Sequence, residues 1–375
     1  MFWMGVPSRP HFSCKSRLRC LRGLVCLGLA ACSQGADSSE LSFSPLWAAT
    51  ASASDGLPQK QPARRAVAAL TPAPVPLQPV HASQPEFFAG TLLLQEDILR
   101  ELGRARFLSF RPVGKTSVVF RSGLESPLRA ALKVATVRRP VGPSAEIVAY
   151  RLARCLGLAN VPPALHRRVS RRELRRDLEP AFLSQWPALE QRLLVAADGF
   201  VDGAAIFWVD GLRDLGIEPP REAARVAAWL RIGAEIPAAK QQLASQLSTL
   251  FAFDYLIGNW DRWSGGNLKG DDAGELVYMR DHDSAFANRI GEGLQRRILE
   301  PTRKTQRYSR SFVQALAGLT REAFARELAL DPGLTRRLDL DPRALAGVFD
   351  RRNTLLSHIA TLVDEHGEAQ VLAFP

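Results

Sequence analysis

"DYLIGNWDRWSGGN" (residues 254–267) closes an apolar helical pattern and opens a loop that carries a carboxylate, Asp261, and an amide, Asn267, with Gly265 and Gly266 between them. Glycine loses more conformational freedom on folding than any other residue, so such a loop is costly to order. Either it is a plain connector, or the two oxygen-bearing side chains must meet at one point. The next stretch, "NLKGDDAGELVYMRD" (267–281), has two short strand-like runs around the turn signal Asp271–Gly274 and reads as a hairpin. That hairpin folds Asn267 and Asp281 back to one end. Asp261, Asn267 and Asp281 then offer hard oxygen ligands without sulfur or imidazole. Such a set suits magnesium, which commonly takes one or two carboxylates plus substrate phosphates.

Working outward, the strand patterns lie before this loop and the helical ones around and after it. "TSVVFRSG" (116–123) and "RAALKVATV" (129–137) read as strands, and "GAAIFWVDGL" (203–212) as a buried strand. The segment 144–158 reads as a helix with Ser144 as its N-cap, 240–259 as the strongest helix, and 342–364 as another. Strands early and helices late predict an α+β fold of two lobes. Two charges stand out against these patterns. Lys133 interrupts an apolar strand, where a lysine is expensive unless paired; from that segment alone it reads as an edge-strand lysine reaching water. Glu146 heads the apolar helical stripe Ala149, Tyr150, Ala153, where it either complements the helix dipole or meets Lys133. In the second case each charge removes the other's burial cost, and the lysine becomes a fixed point charge suited to phosphate.

Lysine on a strand, glutamate on the next helix, Asp-x5-Asn in a loop and Asp after a hairpin together resemble the protein-kinase-like fold. "FDYLIGNWDRWSGGN" and "LVYMRDHDSAF" resemble its atypical branches: the phosphatidylinositol 3-/4-kinase-like group, the HipA-type bacterial kinases and the secretory-pathway Golgi kinases. "EIVAYRLARCLGLANVPPAL" (146–165) is similar to the helix and following strand of those groups, and the resemblance spans roughly residues 90–365. It implies a small mixed N-lobe over about 89–208 and a mainly helical C-lobe over about 209–375. It implies that Lys133 holds the α/β-phosphates of ATP, that Glu146 holds Lys133, and that Asp261 orients or deprotonates an acceptor hydroxyl. Asn267 and Asp281 would bind Mg (or Mn), with Asp283 assisting Asp281 or replacing it. The strand 205–211, with Val209 and Gly211, would be the hinge whose backbone receives adenine, and Gly114 and Lys115 would lie against the phosphates. There are departures. "RPVGKTSVVF" (111–120) has one glycine where a phosphate loop has several, "RDHDSAF" (280–286) stands where relatives have Asp-Asn-Gly, and Asp261 to Asn267 is one residue longer than in common protein kinases. "GKT" (114–116) is no nucleotide-triphosphatase loop, because Ser109 stands where that motif needs glycine and a strand pattern follows instead of a helix.

The 375 residues suffice for one large domain or two modest ones, and 46% hydrophobic residues is ordinary for a globular chain. The net charge of +11 is carried by arginine, since there are only seven lysines. In patterns such as "RRELRRDLEP" (171–180) the arginines read as solvated helix faces, and no nucleic acid partner is expected. Four of the five cysteines fall within the first 32 residues, without CxxC, and no HExxH occurs, so zinc and cysteine-nucleophile chemistry are poorly supported. Lys15, Arg17, Arg19 and Arg22, then "LVCLGLAA" (24–31), make a secretory leader. "LAAC" (29–32) resembles the bacterial lipoprotein signal, which would make Cys32 a lipidated N-terminus after a leader of 1–31. Cleavage by ordinary signal peptidase and a mispredicted start remain the alternatives. Residues 32–88, rich in Ala, Pro and Ser, read as a disordered tether, and 89–375 as the kinase-like domain. The expected protein is an exported lipoprotein anchored to the membrane, or a cytoplasmic one if the start is mispredicted. It is expected to move the γ-phosphate of ATP to a hydroxyl on a protein, lipid or sugar. The alternative is a non-catalytic, ligand- or partner-binding surface lipoprotein, since an exported domain meets little ATP. A merely structural lipoprotein leaves Lys133 unexplained in so arginine-rich a chain.

Overall fold

Lys133 lies on the central strand of a five-stranded antiparallel sheet. In the computed structural model, which describes residues 86–114, 116–287, 290–337 and 340–375, the strands are β1 (Phe107–Pro112), β2 (Val119–Leu124), β3 (Arg129–Val134), β4 (Ala164–Ser170) and β5 (Phe200–Phe207), in the order β1-β2-β3-β5-β4. Lys133 faces Val119 across one ladder and Ala204 across the other. It is therefore no edge-strand lysine, and at 5% exposure it does not reach water. Phe107, Phe110, Phe120, Leu132 and Val201 build the core on one face of the sheet with α1 (Gln95–Arg104). Phe88 belongs to this core, its ring 5.4 Å from Phe207 and 5.7 Å from Tyr278.

β3 leads through a tight turn into α2 (Gly142–Cys155), whose residues 142–153 are all buried. Ser144 is not its N-cap. Val141 holds that place without a side-chain bond, because Pro143 in the first turn has its φ preset for a helix and brings no N–H to satisfy. The expected strand 203–212 lies earlier, as β5, and Gly211 at φ +70 breaks any extension. Ser170 and Glu173 form a capping box on the short helix Arg171–Arg176, whose arginines point to solvent as expected.

The second lobe is mainly helical: α3 (Pro220–Trp229), α4 (Gln241–Ile257), α5 (Glu292–Lys304), α6 (Arg310–Gly318), α7 (Arg321–Ala329) and α8 (Pro342–His366). α4 is buried nearly all round and ends at Gly258, φ +69, where Asn259 N–H returns to Asp254 O at 2.8 Å and Gly258 N–H to Tyr255 O at 3.2 Å. This left-handed cap turns the chain sharply into the 259–267 loop. The expected hairpin follows as β7 (Lys269–Gly270) and β8 (Val277–Tyr278), joined by β6 (Arg213–Asp214) into a small antiparallel sheet. Asp271 shapes its turn, accepting from Glu275 N at 2.8 Å and Leu276 N at 3.0 Å. Among the described residues no helix is long and apolar enough to cross a membrane. Cys32 and Lys115 lie outside the described residues.

Candidate active site

β3 and α2 bring the first two charges together. Lys133 Nζ bonds Glu146 Oε1 directly, donates to Asp281 Oδ1 at 2.7 Å and lies 3.3 Å from Asp283 Oδ2. Burial opposes the ammonium charge, but Asp281, Glu146 and Asp283 outweigh it and hold the lysine above its ordinary pKa. Burial opposes the Glu146 carboxylate too, and Lys133 and His282 reverse that, holding it well below the usual range. His282, wholly inside the protein, places Nδ1 3.3 Å from Glu146 Oε2, so the glutamate has a partner on each oxygen.

The two candidate aspartates after the hairpin differ in their surroundings. Asp281 adopts φ +64, a left-handed conformation uncommon outside glycine but tolerated by aspartate better than by most residues. Its side chain is 30% exposed. The Lys133 charge, against an opposing burial effect, lowers its pKa. Asp283 is only 4% exposed at the side chain. Its Oδ2 accepts from Ser117 Oγ, and its Oδ1 accepts from Arg139 Nη1 at 2.7 Å and lies 3.3 Å from Ser284 Oγ. The protein's own donors thus occupy both oxygens of Asp283, while Asp281 keeps an accessible carboxylate.

The loop that ends in Asn267 is braced by Arg262, a 2% exposed guanidinium. It grips Asp254 with two parallel bonds, Nε to Oδ2 at 2.7 Å and Nη2 to Oδ1 at 2.9 Å. Its Nη1 donates to the carbonyls of Asn267 at 3.0 Å and Arg280 at 2.6 Å. One fork therefore ties the end of α4 to the backbone beside both Asn267 and Asp281. Glu218 supports the same loop, accepting from Gly266 N at 2.9 and 3.0 Å and from Asn267 N at 3.3 Å. Gly265 and Gly266, at φ +101 and +81, supply the backbone conformation this requires. Asp261 and Asn267 do meet, but through the backbone: Asn267 Nδ2 donates to Asp261 O at 3.0 Å and to Ser264 Oγ at 3.3 Å. A carbonyl can only accept, so the amide orientation is fixed. Asn267 Oδ1 is left without a hydrogen bond among the described residues. Burial raises the pKa of Asp261; Ser264 opposes this, and the charges of Asp281 and Asp283 add to it.

Among the described residues no group of three or more His, Cys, Asp or Glu side chains is arranged to hold a metal ion. The donors that are open, the second carboxylate oxygen of Asp281 and Asn267 Oδ1, are hard oxygens. They fit a magnesium ion that takes its remaining ligands from substrate phosphates and water. Gly114 lies in the β1–β2 turn, where a Cβ would come within 2.3 Å of Ser117 O; glycine lets this turn close and deliver Ser117 to Asp283. Val209 packs on the sheet core, and Gly211 follows in the connection between the lobes. The thiol of Cys155 is pushed up to about 12 by burial, which removes it as a nucleophile.

Sequence reading missed Arg139, Ser117, His282, Glu218 and the Asp254–Arg262 pair. Asp254 alone carried a signal, being a carboxylate inside an apolar helical run, the same anomaly that marked Lys133. Arg139, Ser117, His282 and Glu218 owe their places to contacts between segments far apart in the chain.

Among solved structures, the Golgi casein kinase aligns at TM-score 0.57 and 17% identity, covering 74% of this chain and 78% of that one. The Golgi casein kinase with Mn/ADP bound aligns at 0.56 and 17% identity over the same shares. Hydra Fam20 with sugar aligns at 0.58 and 16% identity, covering 77% of this chain and 95% of that one. No family model and no curated protein matches the sequence. At these identities the likeness is one of fold: the chain has the two-lobed, α+β kinase-like fold, with an antiparallel-sheet N-lobe and a helical C-lobe.

Proposed function

We propose that the protein is a phosphotransferase that moves the γ-phosphoryl group of ATP to a hydroxyl acceptor. The observation that carries this reading is the position of Lys133: a buried cation on the central strand, held at once by Glu146 from α2 and Asp281 from the loop after the hairpin. A lysine fixed from two sides is a preorganised point charge for phosphate oxygens. Asp281 and Asn267 Oδ1 would hold Mg or Mn. When bound, the divalent ion neutralises charge on the phosphate oxygens. The neighbouring structure with Mn/ADP supports this pairing of metal and nucleotide.

Asp261 acts on the acceptor. Burial raises its pKa, which makes the carboxylate a stronger base, and as the carboxylate it would accept the hydroxyl proton as the acceptor oxygen attacks the γ-phosphorus. The new O–P bond forms as the bond to the β,γ-bridging oxygen breaks; ADP leaves with that oxygen, and the proton resides on Asp261. The Arg262 fork keeps the loop backbone in place throughout, so the base does not have to be ordered at each turnover. Calorimetric titration with Mg-ADP tests the reading. Saturable binding to the native protein, abolished by Lys133→Met, is the expected result. Absence of nucleotide binding by the native protein would replace it with the non-catalytic, partner-binding alternative.

A further inference from the structure

We propose that an apolar groove beside the Asp261 loop holds the acceptor, and that this acceptor is a polypeptide: the groove takes a large apolar side chain two residues away from the hydroxyl that is phosphorylated. The inference rests on the phosphotransferase reading. The groove has a volume of about 400 Å³. Its walls are α3, through Ala223, Ala224 and Ala227, and α5, through Pro301; Phe251 and Trp263 also line it. Each part is tied to the loop of the proposed base. Trp263 lies in the turn that starts at Asp261, closed by Ser264 N–H and Ser264 Oγ, which donate to Asp261 O at 3.2 and 2.8 Å. The Trp263 ring is 5.6 Å from that of Phe251, on the helix that leads into the loop. Glu218, which accepts from the N–H groups of Gly266 and Asn267, stands two residues before α3 begins. Gln306 N–H donates to Leu230 O at 2.8 Å and joins the ends of α3 and α5, so the groove is formed before an acceptor arrives.

The lining fixes the class of ligand. Phe251 and Leu230 are buried, Trp263 is half-buried, and the Thr305 hydroxyl is already committed to Pro301 O at 2.9 Å. A sugar seated here would leave its own hydroxyls unpaired, which is costly. A bilayer surface fits no better. Among the described residues, none of the large exposed hydrophobic side chains lies on α3, α5 or the 259–267 loop, and the rim carries Arg297 and the Glu300–Lys304 pair at 2.7 Å. One large apolar side chain, with the polar peptide backbone left at the rim, suits the groove. The spacing follows from chain geometry. Asp261 and Trp263 are two residues apart, so their Cα atoms are at most about 7 Å apart. An extended peptide rises about 3.3 Å per residue and points every second side chain to the same face. A hydroxyl presented to Asp261 therefore brings the side chain two positions along within reach of Trp263.

Positional scanning of synthetic peptides with Mg-ATP tests this, each peptide carrying one serine at its centre and one other position varied. The native protein should transfer phosphate to the peptides and favour Leu, Phe or Trp two residues from the serine. Trp263→Ala should raise KM for the favoured peptide about tenfold or more, as loss of one aromatic contact does. Its affinity for Mg-ADP should stay within about threefold of native, which shows that the fold is kept. Ala224→Leu, which fills the groove from the exposed side of α3, should abolish the apolar preference. Peptide transfer without that preference, a preference that survives Ala224→Leu, or a KM unmoved by Trp263→Ala would each overturn the inference. So would Mg-ADP binding without transfer to any peptide, even if anionic phospholipid vesicles or free sugars accept phosphate; in all these outcomes the phosphotransferase reading stands. A native protein that binds no Mg-ADP would remove the reading and the inference together.

Discussion

Lys133, Glu146 and Asp281 form one ion-paired cluster, and Asp261 lies on the loop that ends in Asn267; substitution should separate their roles. Asp281→Ala removes the accessible carboxylate beside the proposed ion, so affinity for Mg-nucleotide should fall together with transfer. Asn267→Ala should act in the same direction more mildly, because a neutral oxygen is the weaker ligand. Asp261→Ala should leave Mg-nucleotide affinity nearly intact and slow transfer by about 10²–10⁴-fold, the usual worth of a positioned base. Titration calorimetry beside a transfer assay reads this split, and equal loss of binding in Asp261→Ala and Asp281→Ala would overturn it. The pH behaviour follows from the same charges. Glu146 has a folded pKa below its ordinary 4.5, so its stabilising effect is complete above that value and is lost only as pH falls through the depressed folded value. Lys133 is raised above 10.5, so its effect is complete below that value and is lost only as pH rises further. The stability difference between native protein and Glu146→Gln should therefore be flat across neutral pH and shrink only in strong acid, measured by urea unfolding at each pH. In a transfer assay the acid limb of kcat/KM should lie above the ordinary aspartate value of 3.8, because Asp261 is raised and must be ionised to act.

At the level of the elements, local chemistry sets the starts and stops that aim these residues. The left-handed cap at Gly258 sends the chain from α4 into the Asp261 loop. A Cβ there would meet Arg351 only at an ordinary 3.6 Å, so the cost of substitution is conformational. Gly258→Ala should destabilise by about 1–2 kcal/mol, the cost of a left-handed residue with a Cβ. Ser170→Ala, which removes the side-chain half of a complete capping box, should cost about 1 kcal/mol. Denaturant midpoints measure both, and an unchanged midpoint in either would show that the contact contributes nothing. These devices were legible in part. The hairpin turn Asp271–Gly274 and the long helices stand where periodicity and turn residues put them. Ser144 misled because serine before an apolar run is a common cap, whereas Pro143 starts α2 earlier without one.

Across the whole molecule, the sheet supplies Lys133 and the helical lobe supplies Asp261, Asn267 and Asp281, so a nucleotide held by both lobes should stabilise the entire fold. Mg-ADP at a hundred times its dissociation constant should raise the unfolding free energy by about 2.7 kcal/mol. Thermal unfolding should show the shift in the native protein and in Asp261→Ala, and none in Lys133→Met. A shift that survives Lys133→Met would place the nucleotide elsewhere.

The sequence by itself determined that strands come early and helices late, and the anomalies that mark the candidate site: a lysine inside an apolar strand, an acid at the head of an apolar helix, and oxygen-bearing side chains around a glycine-rich loop and a hairpin. Each of these is local, because period, turn chemistry and the cost of burying a charge are properties of short segments. Only the tertiary structure decided which charges meet. It put Asp281 against Lys133 and surrounded Asp283 with four donors. It held the 259–267 loop through the buried Asp254–Arg262 pair. Those placements depend on how segments 148 and 166 residues apart pack, and a buried charge is stabilised by whatever partner packing delivers to it.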